Sequence, residues 1–116
     1  MNNADAAHAV AFLYRWRLKP GMEAHFVEAW TRRTDALLAR GGSLGSRLHR
    51  GDDGLWYGYA VWPNAEARRR AFETPMPDTG LSMDDAVAER LPEIALHPVA
   101  DRIVAEPLPI GGAKVE

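Results

Sequence analysis

The order of elements predicts an α+β domain of the ferredoxin-like class, β-α-β-β-α-α-β around an antiparallel sheet. Three observations carry this reading. Residues 9–18 alternate between two faces, as a strand does. A long amphipathic stretch follows, set between a Pro-Gly turn and a Gly-Gly pair. Two extended runs then flank Gly51-Asp52-Asp53-Gly54, as the arms of a hairpin would. In this order the first strand lies centrally and the second at an edge.

In the first strand, Ala9 to Leu18, the residues Val10, Phe12, Tyr14, Trp16 and Leu18 share one face. Ala11, Leu13, Arg15 and Arg17 share the other. Lys19-Pro20-Gly21 ends it, because Pro lacks the N–H a ladder needs and Gly suits a turn. Met22 to Arg40 reads as a helix with Met22, Phe26, Ala29, Trp30, Arg33 and Leu37 on one stripe. Gly41-Gly42 supplies its left-handed cap. Ser43 to Arg50 and Leu55 to Trp62 are the hairpin strands. Asn64 is the expected N-cap of a short helix through Phe72, and Glu73 to Leu81, with two prolines and a glycine, is a loop. A second short helix is expected from Ser82 to Leu91, stopped by Pro92, and a last strand from Val99 to Glu106. Residues 1–8 and 107–116 read as tails of a single domain.

With 116 residues and 47% apolar composition, one core can form but not two. Lys and Arg number 14 against 16 Asp and Glu, a net charge of −2. That balance speaks against bulk-charge binding of nucleic acid or anionic membrane. The absence of cysteine excludes disulfides, thiolate nucleophiles and cysteine-bound metal. No ligand spacing links His8, His25, His49 and His97, so no metal site is expected. Without an apolar run of membrane length or a signal-like start, a cytoplasmic protein is expected.

If Arg50 pairs with Leu55 across the Gly51–Gly54 turn, His49 opposes Trp56, Arg47 opposes Gly58, and Ser43 opposes Trp62. One face then holds Trp56 and Trp62 around the small Gly58 and Ala60, with His49 and Arg47 beside them. The other face holds leucine, valine and tyrosine. Helices can cover only one face, and the second is more apolar than a monomer leaves open, so a homodimer is expected.

Trp16-Arg17-Leu18-Lys19-Pro20-Gly21, followed by a helix with Glu23, Ala24, Phe26 and Trp30, resembles the start of antibiotic biosynthesis monooxygenase domains. The run Gly42 to Arg50, the Asp53-Gly54 turn and the strand ending Tyr59-Ala60-Val61-Trp62 resemble their central hairpin. The resemblance covers roughly Val10 to Phe72. It implies a dimeric α+β barrel, with a small-molecule pocket between each sheet and its own helices. Some members oxidise phenols or quinols with molecular oxygen and no cofactor. In those, a pocket Trp at the end of the third strand is matched by Trp62 and a second-strand His by His49. An Asn is replaced by Gly58, and a later Arg by Asp85, with Arg90 nearby. The haem-degrading branch fits less well, because its Asn falls at Tyr14, its Trp near Ala71, and no His stands between Glu73 and Asp85.

The expected function is thus cofactor-free oxygenation of a small aromatic. His49 would act as base and Arg47 as stabiliser of an oxyanion, while Trp62, Trp56, Gly58 and Tyr14 would bind the ring. A homodimer that binds a ligand without turnover is the alternative, since both need the same pocket. Tyr57 to Trp62 also loosely echoes the third strand of RNA-recognition domains, but the basic residue and glycine that should precede it are Leu55-Trp56. His25 is expected at the surface, Phe26 and Trp30 in the core, and Arg68-Arg69-Arg70 on a solvated helix face.

Overall fold

The computed structural model describes residues 8–105 and 107–110; the rest of the two expected tails lies outside the described residues. Strands β1 (Val10–Leu18), β2 (Ser46–Arg50), β3 (Trp56–Trp62) and β4 (Val87–Leu96) form one antiparallel sheet in the order β2-β3-β1-β4. Helices α1 (Glu23–Arg40) and α2 (Ala65–Glu73) pack on one face, and a single 3-10 turn, Met83–Ala86, leads into β4. Among the described residues no helix is long and apolar enough to cross a membrane.

The β1–β3 register sets bulky residues against small ones on the helix-covered face. Tyr14 opposes Gly58 and Phe12 opposes Ala60, while Trp16 meets Trp56 and Val10 meets Trp62 at the two ends. Two apolar clusters result. Trp16, Phe26, Trp56 and Ala86 pack under the start of α1, and Val10, Trp62 and Ala71 pack under α2. Gly41, at φ 86, ends α1 in the left-handed region and donates its N–H to the Leu38 carbonyl at 3.1 Å. The Asn64 side chain caps α2 as expected, accepting the Ala67 N–H at 2.8 Å.

Two expectations fail. The stretch read as a helix from Ser82 to Leu91 forms only the 3-10 turn, and from Val87 onward it is strand β4, lying along β1. The expected strand at 99–106 is absent, for residues 97–105 hold no regular element and residue 106 lies outside the described residues. Pro92, read as a helix terminator, instead sits in a β-bulge. Leu91 opposes Arg15 and Ile94 opposes Leu13, so Pro92 and Glu93 together face Tyr14. A proline is tolerated there because β4 is an edge strand.

The hairpin register is also corrected, by one residue. The Gly51 N–H donates to the Leu55 carbonyl at 2.7 Å, so the loop is the three residues Asp52-Asp53-Gly54, with Gly54 at φ 85. Arg50 therefore opposes Trp56, His49 opposes Tyr57, Leu48 opposes Gly58 and Arg47 opposes Tyr59. Because side chains alternate, the shift moves His49 and Arg47 to the face away from the helices.

Candidate functional site

A cavity of about 490 Å³ lies between the sheet and its helices, with walls drawn from both apolar clusters. Its floor is Tyr14 and Trp16 of β1 with Gly58, Ala60 and Trp62 of β3. From α1 it takes Trp30, Arg33, Thr34 and Leu37, and from α2 Arg68 and Phe72. Residues of the 76–84 segment complete the wall.

That segment is held against α1 by side chains from a single helical face. His25 donates from Nε2 to the Ser82 carbonyl at 2.9 Å, and Arg32 Nη1 donates to the Thr79 carbonyl at 2.8 Å. Arg40 anchors the stretch leading into the segment, donating to the carbonyls of Ala71 at the end of α2 and of Thr74 and Pro75 at 2.9–3.0 Å. Steps of seven and eight residues are close to two helical turns, which is why the three side chains emerge on one side. The segment's carbonyls thus gain donors that its own irregular backbone cannot provide.

The floor is shaped by Gly58. A Cβ there would stand 2.9 Å from Cη2 and 3.1 Å from Cζ3 of Trp16, and 3.7 Å from Trp30 Nε1. The Trp16 ring therefore lies on bare backbone, in the space that a side chain at position 58 would take. Tyr14 stacks on Trp16 with centroids 6.0 Å apart and planes 20° from parallel, and Phe26 meets the same ring edge-on at 5.0 Å. At the other end Phe72 packs edge-on against Trp62 at 5.9 Å.

Besides Arg33 and Thr34 of α1, Ser43 and Ser46, and the polar residues of the 76–84 segment, polar groups come from β1, α2 and β4. Arg68 Nη2 donates to Tyr14 Oη at 3.0 Å and to Glu93 Oε2 at 3.1 Å. Arg90, which opposes Trp16, pairs with Asp84. The Nε1 groups of Trp16 and Trp62 and the Nε of Arg68 are buried with no acceptor among the described residues. Among the described residues, no three of His, Asp and Glu gather as ligands for a metal ion.

The structure brings together Tyr14, Gly58 and Trp62 of the expected ligand-binding set. Trp56 shares their face but is buried against Phe26, with centroids 6.0 Å apart, and does not reach the cavity. His49 and Arg47 lie on the opposite face, across from Tyr57 and Tyr59, and His49 is exposed. Neither is placed to touch a ligand in this cavity. On that open face the hairpin has its own polar contact. The Tyr57 hydroxyl and the Leu55 N–H both donate to the Asp53 carboxylate, which keeps Asp53 below its ordinary pKa and raises Tyr57 above its own.

Sequence reasoning missed Arg68, Glu93 and the cavity-facing part of Trp30. For Arg68 a signal was present. Ala67 and Ala71 are an i,i+4 pair, as are Arg68 and Phe72, and both pairs fall on the face that α2 turns toward the sheet.

The model of the antibiotic biosynthesis monooxygenase family matches residues 9–76. Comparison with curated proteins finds no match. Among solved structures, SnoaB, a cofactor-independent oxygenase from Streptomyces nogalater, is 25% identical. The match covers 86% of this chain and 100% of that one, with a TM-score of 0.64. A Caulobacter crescentus protein assigned to the same family is 16% identical, over 84% of this chain and 96% of that one, with a TM-score of 0.68. A Bacteroides thetaiotaomicron protein of unknown function is 14% identical, over 79% and 99%, with a TM-score of 0.64. With its order of elements, its sheet and more than half its length matched, the chain belongs to the antibiotic biosynthesis monooxygenase family.

Proposed function

We propose that this protein is a cofactor-free monooxygenase acting on a small phenolic or quinol-type aromatic. The observation that carries the reading is the cavity, whose walls include Tyr14, Trp16, Trp30, Trp62 and Phe72 in a chain of this family. Aromatic surfaces suit a flat ring, and polar groups such as Tyr14, Arg33, Arg68 and Arg90 line the same cavity and can orient it. The likeness to SnoaB supports the absence of a cofactor.

The chemistry asks little of the protein beyond the pocket. An ionised phenol gives one electron to dioxygen, and the substrate radical and superoxide then combine. A CH₂ group activated by the phenol ends as a carbonyl: one oxygen atom enters it, and the other leaves with the two hydrogens as water. The pocket contributes by holding the ring, excluding bulk water and stabilising the anion.

A second reading is favoured by one specific observation. His49 and Arg47 stand outside the cavity and position 58 has no side chain, so neither the expected base nor the expected oxyanion partner reaches a ligand there. A ligand-binding protein without turnover needs neither. Oxygen uptake with anthrones, naphthols and quinols, run without added metal, separates the two. Turnover at a rate above the uncatalysed one supports the oxygenase, and saturable binding without uptake supports the binding protein. His49→Ala should leave both binding and uptake unchanged.

The working unit we propose is a homodimer. On the open face Leu13 lies between Tyr59 and Ile94, and Val61 and Leu96 flank the already buried Ala11, giving an apolar block across three strands. The C-terminal segment adds Val99, Ile103 and Val104, which are 97%, 70% and 74% exposed. A second copy covers both at once. Sedimentation should give about twice the 12.8 kDa chain mass, and Leu13→Glu should shift it toward the monomer. A wild-type protein that stays monomeric at micromolar concentration would refute the dimer.

A further inference from the structure

Three arginines follow one another on α2, and they do different things. Arg69 and Arg70 pair at the surface with Glu66, and Arg69 also pairs with Glu73. Arg68 turns beneath the helix. Its guanidinium carbon lies 3.7 Å from the centroid of the Phe12 ring and 4.8 Å from that of Phe72, well within cation–π range. Its Nε is walled off without an acceptor, so the two hydrogen bonds from Nη2, to Tyr14 and Glu93, fix the group in its plane. Glu93 reaches this point because of the bulge, which sets it opposite Tyr14 instead of turning it to the open face.

The Tyr14 hydroxyl is left in a defined state. A phenol oxygen can accept and donate at once. Here it accepts from Arg68, and among the described residues it donates to nothing. Its ring is held by Trp16 and lines the cavity. We propose that Tyr14 is the hydrogen-bond donor that touches the ligand's oxygen, and that Arg68, steadied by Glu93, is the positioning residue that aims it. The pair would select a ring bearing a hydroxyl over one bearing a methyl group. It would also favour the ionised hydroxyl, because a bond donated to an anionic oxygen is about twice as strong as one to a neutral oxygen. The proton released passes to the buffer. This inference rests on the reading of the cavity as an aromatic pocket, and gives that pocket the polar contact that His49 does not supply.

The test compares 2-naphthol with 2-methylnaphthalene, which have nearly the same shape, by equilibrium dialysis. Wild-type protein should prefer the naphthol about tenfold, the worth of one well-made hydrogen bond. Tyr14→Phe should erase the preference while still binding the hydrocarbon. Arg68→Met should erase most of it and Arg68→Lys restore part. Glu93→Gln, at the half-exposed end of the network, carries the Arg68 test should Arg68→Met not fold. Bound naphthol should also ionise at lower pH than free naphthol by absorbance, and Tyr14→Phe should remove that difference. A Tyr14→Phe protein that keeps the full preference overturns the assignment of Tyr14. Full preference in the Arg68 and Glu93 variants overturns the positioning role alone. If wild-type protein binds neither compound, the aromatic-pocket reading fails and this inference falls with it.

Discussion

Replacing Gly58 with alanine tests the contact that shapes the cavity floor, and two effects of opposite sign compete there. Gly58 is not among the glycines with positive φ, so alanine meets no backbone strain. From the unfolded chain alone, the change would stabilise by about 0.4–1 kcal/mol. The structure opposes it. The new methyl would sit 2.9 and 3.1 Å from two carbons of Trp16, a ring only 3% exposed and gripped by Tyr14 and Phe26. Overpacking of this kind costs about 1–3 kcal/mol. Packing therefore wins, with a net loss of about 1–2 kcal/mol. At about 3–6 °C per kcal/mol, between the values for smaller and larger domains, Tm should fall by about 3–12 °C. Thermal melts and urea titrations read this directly, with the urea slope unchanged. Trp16→Phe removes both offending atoms, so in a double-mutant cycle it should cancel most of the penalty. A Gly58→Ala protein as stable as wild type, or more so, would refute the reasoning.

Other expected outcomes follow from the caps and the hairpin. Asn64→Ala should lower stability by about 1 kcal/mol, and Asn64→Asp should retain most of it, because the side-chain oxygen takes the Ala67 N–H. Equal melting temperatures for wild type and Asn64→Ala would show the cap to be idle. The Tyr57–Asp53 contact makes hairpin stability depend on pH at both ends. Asp53 is depressed below its ordinary 3.8, so its contribution is full above that value and is lost as pH falls through the folded one. Tyr57 is raised above its ordinary 10.0, so its contribution is full below that value and is lost as pH rises through the folded one. Melting curves of wild type and Tyr57→Phe should therefore differ near neutrality and converge in acid and in alkali. A gap constant across the range would show that the hydrogen bond is not its source.

What the sequence made legible were the elements with long or capped patterns. Five alternating positions from Val10 to Leu18 define β1, and α1 lies between the Gly21 turn and the Gly41 cap. The hairpin was legible as a hairpin but not in register. Gly51-Asp52-Asp53-Gly54 can close as a four-residue or a three-residue loop, and that single step decides which face His49 occupies. Residues 82–91 were misread because their spacing fits a short helix as well as a strand, and the free edge of β1 settles the matter only in three dimensions. The site suffered the same ambiguity. Tyr14, Gly58 and Trp62 could be placed from alternation alone. Arg68 could not be told from its two solvated neighbours without knowing which side of α2 meets Phe12.

The bulge at Pro92 makes the β4 edge a poor template for a further strand. A sheet edge normally offers a row of N–H and C=O groups that recruits a further strand, and repetition of that step builds a fibre. Pro92 has no N–H to offer, and its carbonyl is already taken by Arg15, whose Nη2 lies 2.8 Å away. The β4 edge is thus interrupted at its middle, and the far edge of the sheet is the five-residue β2. Neither margin presents a long template for strand addition. The homodimer proposed above would instead join two copies through the broad open side, a two-fold contact that closes on itself.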